Sequence, residues 1–128
     1  MLSSIPAIGA LQAKIWGDTR LLYAANDTHC HLIRFRKGGY CSNHRHQHKW
    51  NRFVVLHGTL IVRIFRNEKI HEETTVHNGQ VTDVPPGVWH QFEAPEDGEA
   101  LEFYWANLDA EDIERETEGG MKCEASSP

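Results

Sequence analysis

GGYCSNHRHQHKWNRFVVLHG, residues 38–58, places three histidines at alternating positions just ahead of a run of apolar residues. In an extended chain, side chains two apart project from the same face. His44, His46 and His48 therefore form a row of imidazoles, about 6–7 Å between successive Cα atoms. Two of them could converge on one ion, because neutral imidazole nitrogens suit zinc, copper, iron or nickel. The same row also reads as a solvated basic edge strand, with Arg45 and Lys49 on the opposite face.

A second stretch, GQVTDVPPGVWHQFEA at residues 79–94, ends a strand at Pro85-Pro86-Gly87 and starts the next with His90 close to the turn. Alone, His90 reads as a satisfied, partly buried histidine. Around these two stretches the pattern is β-like from residue 13 to residue 106. Short segments rich in Val, Ile, Phe, Tyr and Trp cover Arg20–Ala25, Thr28–Arg36, Asn51–Leu56, Thr59–Phe65, Lys69–Val76, Gln80–Val84, Val88–Glu93 and Ala100–Ala106. Turn signals such as Asn26-Asp27, Asn67-Glu68 and Asn78-Gly79 separate them, a spacing that predicts an all-β sandwich or barrel. Thr59–Phe65 carries apolar residues on both faces, so we expect both to be covered, one of them by a second subunit.

One helix is expected, a turn or two over Ala110–Arg115, capped by Asn107-Leu108-Asp109 with acidic residues at its positive end. The predicted organisation is an N-terminal extension (1–12), one barrel domain (13–116) and a loose, polar tail (117–128).

The 128 residues suit a single domain, and 40 % hydrophobic with 24 % charged residues is ordinary globular usage. Thirteen basic against 18 acidic residues give a net charge of -5, which disfavours a nucleic-acid partner. No apolar run approaches the ~18 residues of a membrane-spanning helix, and the N-terminal stretch lacks a basic leader. We expect a cytoplasmic protein with no membrane partner. Cys30, Cys41 and Cys123 are too widely spaced for a disulfide framework or a zinc knuckle. The compositional outlier is the nine histidines.

Together the two stretches resemble the paired motifs of the cupin superfamily. The first motif, G-x5-H-x-H-x3,4-E-x6-G, falls on Gly38, His44, His46, Asn51 and Gly58; the second, G-x5-P-x-G-x2-H-x3-N, on Gly79, Pro85, Gly87, His90 and Ala94. Asn51 stands where the family has Glu, and Ala94 where it has Asn. The resemblance implies a double-stranded β-helix, or jelly-roll, barrel of about eight or more strands. It also implies a divalent metal ion (zinc, nickel, manganese or iron) held by His44, His46 and His90. Asn51 would be a weaker fourth donor, since an amide oxygen is neutral.

Within the cupins, residues 44–60 look like the C-terminal domain of type II phosphomannose isomerases. The segment Asp109–Arg115 with Gly119-Gly120 is similar to that family's closing segment. This likeness implies a small-molecule ligand, a sugar phosphate or related polyhydroxy compound, isomerised by a metal-assisted enediol route. His48 and Glu102 are the candidate bases, and Arg52, Trp89 and Tyr104 the candidate substrate contacts. Two alternatives stay open: a three-His iron(II) dioxygenase, since a set lacking the Glu resembles thiol dioxygenases, and a non-catalytic ligand-binding cupin. Small cupins commonly pair sheet to sheet, so a homodimer is expected.

Overall fold

The computed structural model describes residues 6–106 and 113–122. The described chain is all β. Its first strands are β1 (Leu11–Lys14), β2 (Gly17–Ala25), β3 (Thr28–Phe35), β4 (Gly39–Tyr40) and β5 (His44–Arg45). The long central strands β6 (Lys49–His57), β7 (Leu60–Arg66) and β8 (Lys69–Val76) follow. The chain then forms β9 (Val81–Val84), β10 (Trp89–Glu93), β11 (Gly98–Ala106), β12 (Glu114–Arg115) and β13 (Gly120–Met121). Two antiparallel sheets result. One runs β1-β2-β3-β11-β6-β9, and the other runs β12-β5-β10-β4-β13, with β7 on the second edge of β10 and β8 beyond it.

Alternation drives this arrangement. Along β6, Lys49, Asn51, Phe53 and Val55 are buried while Trp50 and Arg52 face out. The apolar members of these inward rows form the core between the sheets. Trp16 meets Phe92 edge-on at 4.9 Å and Phe53 meets Phe92 at 5.9 Å. The two-residue hairpin loops also follow from local chemistry. Asn26-Asp27 and Asn67-Glu68 adopt positive φ (51° and 56°, 54° and 64°), the turn twist that matches flanking strands. Gly98 lies so close to the neighbouring strand that an added Cβ would collide with the His57 carbonyl oxygen and sit 2.6 Å from the Phe35 ring.

The C-terminal segment departs from expectation. Ala110–Asp112 lie outside the described residues, but Glu114–Arg115, expected in a helix from their acidic context, form strand β12 against β5. A sheet edge outcompetes the short helix here. Arg45 grips Glu114 Oε2 through Nη2 at 3.0 Å, Gln47 donates to the same carboxylate, and the Glu116 amide donates to the Asn43 carbonyl at 2.8 Å. The segment expected to be loose is fastened as far as Lys122. Gly120–Met121 pair with β4, and Lys122 bonds Glu93 at 2.7 Å. At the other end, β1 already begins at Leu11 and pairs along β2. The outer face of β7 is covered in part from within the chain, where Arg63 ties Glu73 on β8 to Glu93 on β10. Among the described residues no helix is long and apolar enough to cross a membrane.

Candidate metal centre

Strand register sets the site. β5 pairs with β10 so that His44 and His90 are direct cross-strand partners. The Pro-Pro-Gly turn is tied to the first histidine stretch, because the Gly87 amide donates to the His46 carbonyl at 2.6 Å. His44, His46 and His90 thereby come together, with one ligand atom of each lying within 4.8 Å of the others. Their ring centroids are 4.4 Å (His44–His90), 5.0 Å (His44–His46) and 5.5 Å (His46–His90) apart. All three side chains are buried.

The hydrogen bonds fix the tautomers. A carbonyl oxygen can only accept, so Nδ1 of His44 donates to Ser42 at 2.7 Å and Nδ1 of His90 donates to Val88 at 2.9 Å. In both rings this leaves Nε2 with its lone pair available, the arrangement in which a backbone carbonyl orients a metal-ligating histidine. Burial lowers the pKa of both rings. His44 falls well below 6.5, with the His90 and His46 charges adding to the effect. His90 falls to about 4 despite its bond to Val88. Neutral imidazole is the form that binds a cation.

The opposite sheet supplies the remaining wall. Asn51, fully buried, gives its Nδ2 to Glu102 Oε2 (3.3 Å) and to the Phe103 carbonyl (3.2 Å). Its Oδ1 is buried with no hydrogen-bond partner, and so is Nε2 of His90. Leaving buried polar atoms unmade costs about 1–3 kcal/mol each, a cost that ligation of a cation would remove. The donor set therefore fits a divalent ion bound by neutral nitrogens, with the Asn51 amide oxygen in the family's carboxylate position. Glu102 and Tyr104 follow on the inward face of β11, beside His31 and Asn51 in register. Burial raises the Glu102 carboxyl above its usual value against hydrogen bonds from Tyr104 and Asn51. Burial, reinforced by the Glu102 charge, raises the Tyr104 hydroxyl well above its usual value. The Tyr104 ring lies 5.3 Å from His46. A cavity of about 400 Å³ opens onto His44, Glu102, Tyr104 and His31.

Three expected site residues lie elsewhere. His48 is exposed in the bend after β5: that strand is only two residues long, so the alternation ends before reaching it. The same break reverses Lys49, which points inward with its ammonium 4.4 Å from the centre of the Tyr104 ring. Arg52 is on the outer face of its sheet, bonded to Asp83 at 2.6 and 2.8 Å and stacked 5.3 Å over Trp105. Trp89 packs beneath the Arg45 guanidinium at 4.8 Å and lines a separate cavity. Sequence reasoning missed His31, Lys14 and the inward aim of Lys49. Alternation from the buried Ile33 would have found His31, whereas Lys14 sits on a strand whose pattern gave no signal.

A family model, that of the cupin domain, matches residues 31–107. Among solved structures the chain is similar to KdgF from Halomonas sp., with 17 % identity, a TM-score of 0.68, and coverage of 78 % of this chain and 90 % of that one. It is also similar to oxalate decarboxylase from Bacillus subtilis at pH 4.6, with 15 % identity, a TM-score of 0.72, and 89 % and 33 % coverage. CapF with the inhibitor 3-isopropenyl-tropolone matches at 20 % identity and a TM-score of 0.69, with 83 % and 33 % coverage. The chain thus spans about a third of the last two proteins, and at these identities the likeness concerns the fold. No curated protein sequence matches. The match over most of the chain, on a jelly roll whose two histidine stretches meet in one buried cluster, makes this protein a member of the cupin family.

Proposed function

We propose that this cupin binds a divalent metal through His44, His46 and His90 and acts on a small polyhydroxy compound, a sugar phosphate or a relative, as an isomerase. One observation carries the reading: His44 of the three-histidine cluster and the Glu102–Tyr104 pair, from opposite sheets, line one cavity of about 400 Å³. The metal would supply Lewis-acid polarisation of a sugar carbonyl and its neighbouring hydroxyl. Glu102 would take the proton from the hydroxyl-bearing carbon and return it to the former carbonyl carbon, while the hydroxyl proton passes to the carbonyl oxygen, so that the carbonyl and hydroxyl exchange places. Its raised pKa suits this work, since a general base is most effective when its pKa approaches the working pH. Tyr104 and Asn51 hold that carboxylate in place by hydrogen bonds. Phe92 and Trp16 contribute apolar wall to the same cavity.

The test begins with metal analysis of tag-free protein by mass spectrometry, beside a His44→Ala/His46→Ala control. Near-stoichiometric zinc, nickel or manganese, lost in the control, together with anaerobic aldose–ketose interconversion abolished in Glu102→Gln, supports the reading. Loaded protein that interconverts no sugar phosphate refutes the isomerase. A second reading, an iron(II) dioxygenase, draws on the neutral donor set, with Asn51 in place of a carboxylate; it requires iron in the protein and oxygen uptake. We also propose a homodimer through the outer face of the six-stranded sheet, where Tyr23, Trp50, Leu56 and Val81 are exposed. Light scattering at the monomer mass would refute it.

A further inference from the structure

All four residues of β1 are exposed, and two of them, Gln12 and Lys14, line the rim of the cavity. An amide and an ammonium there gain nothing from apolar packing, but they suit an opening that receives a polar group. A second cation comes from β12, where Arg115 is the cross-strand partner of His44. Cross-strand partners project from one face of a sheet, and Arg115 accordingly lines the cavity beside His44. His31, whose Nδ1 is buried and has no hydrogen-bond partner, lines the same cavity. Glu118 is the exposed carboxylate on this rim, and Glu102 is engaged by Asn51 deeper in.

We propose that Lys14 and Arg115 form an anion subsite in the cavity, with His31 as its floor, that receives the phosphate or carboxylate of a polyhydroxy ligand. The rest of the ligand then extends toward the histidine cluster. This rests on reading the cavity beside His44 as the ligand site, and it adds the residues that select the ligand by charge. Both side chains come from short elements at the barrel mouth, one at each end of the chain. The subsite is therefore complete only when β1 and β12 are both docked. The Lys14 charge reaches the interior: burial, then the His29 and Lys49 charges, and last Lys14 lower the His31 pKa to about 4.

The experiment is calorimetric titration of zinc-loaded and metal-free protein with mannose, mannose 6-phosphate and mannuronate, alongside the double variant Lys14→Gln/Arg115→Gln and the remote control Lys69→Gln. Both targeted side chains are exposed, so the double variant keeps the core intact. The expected result is that an anionic sugar binds about tenfold or more tightly than mannose, the effect of charge-assisted hydrogen bonds. That preference should shrink with added salt, disappear in the double variant and persist in Lys69→Gln. The tighter of the two anions identifies phosphate or carboxylate as the group received. Equal binding of neutral and anionic sugars, a preference that survives the double substitution, or no binding of any of the three overturns the subsite. Metal loaded without anion preference overturns the subsite alone. Anion preference in protein that accepts no metal overturns the metal reading and keeps the subsite.

Discussion

Replacing His90 with phenylalanine separates the two roles that position combines. Its ring is almost fully buried, at 1 % exposure, and packs 4.4 Å from the His44 ring, so a phenyl group of similar shape preserves the packing. Two opposing effects act on the metal-free protein. The variant loses the Nδ1 bond to Val88, worth about 0.5–1.5 kcal/mol, and removes a buried Nε2 with no partner, which costs the wild type about 1–3 kcal/mol. The metal-free forms should therefore differ in stability by no more than about 2.5 kcal/mol. Metal changes the comparison. An ion at a hundred times its dissociation constant stabilises the folded state by about 2.7 kcal/mol. With an unfolding entropy of about 2.1 cal/mol/K per residue, that raises the melting temperature of a chain of this length by about 10 °C. Circular-dichroism melts with zinc, nickel, manganese and iron(II) should show this rise in the wild type and none in His90→Phe. A wild type unmoved by all four ions, or a variant shifted equally, refutes the reasoning. A metal-free loss above about 3 kcal/mol would instead make His90 a packing residue.

Other outcomes follow from the same geometry. Phe53→Ala empties a side chain 1 % exposed in the core, and chemical denaturation should show a loss of about 3–5 kcal/mol. Gly98→Ala forces a methyl onto the His57 carbonyl and the Phe35 ring, so the same titration should show a loss of at least about 1–3 kcal/mol. Burial pushes the Glu93 carboxyl up, but hydrogen bonds from Lys122 and Arg63 outweigh it and hold the group below 4.5. A depressed carboxyl contributes stability above its unfolded value that is lost as pH falls through the folded one. Melting temperatures should therefore drop below about pH 4.5 in the wild type and show a smaller drop in Glu93→Gln. Glu102→Gln should lower turnover in the proposed isomerisation by about 10²–10⁴-fold while metal content stays unchanged.

Local chemistry in the chain decided a great deal. Alternation located the central strands to within a residue or two, since β6, β7 and β10 each bury one face more deeply and the pattern of buried side chains follows the period of two. The Asn-containing hairpin turns were legible because only a few residues tolerate positive φ. The spacing of His44, His46 and His90 around the two glycine-bearing motifs pointed to one cluster, and the fold brings those three rings together.

Tertiary structure decided where each pattern stops. Nothing local says that β5 is two residues long, so the sequence extended the imidazole row to His48 and turned Lys49 outward; the bend after β5 reverses both. Arg52 and Trp89 have chemistry suited to a sugar, but the parity of their strands faces them away from the histidine cluster, and parity relative to a core is set only when the sheets pack. Glu114–Arg115 close a segment whose helix-start signal lies at Asn107–Asp109, yet a free edge on β5 offers backbone hydrogen bonds and an arginine partner that a single helical turn cannot match. The cavity wall is likewise a tertiary product, because Lys14 and Arg115 stand about a hundred residues apart and line one cavity only once β1 and β12 have docked.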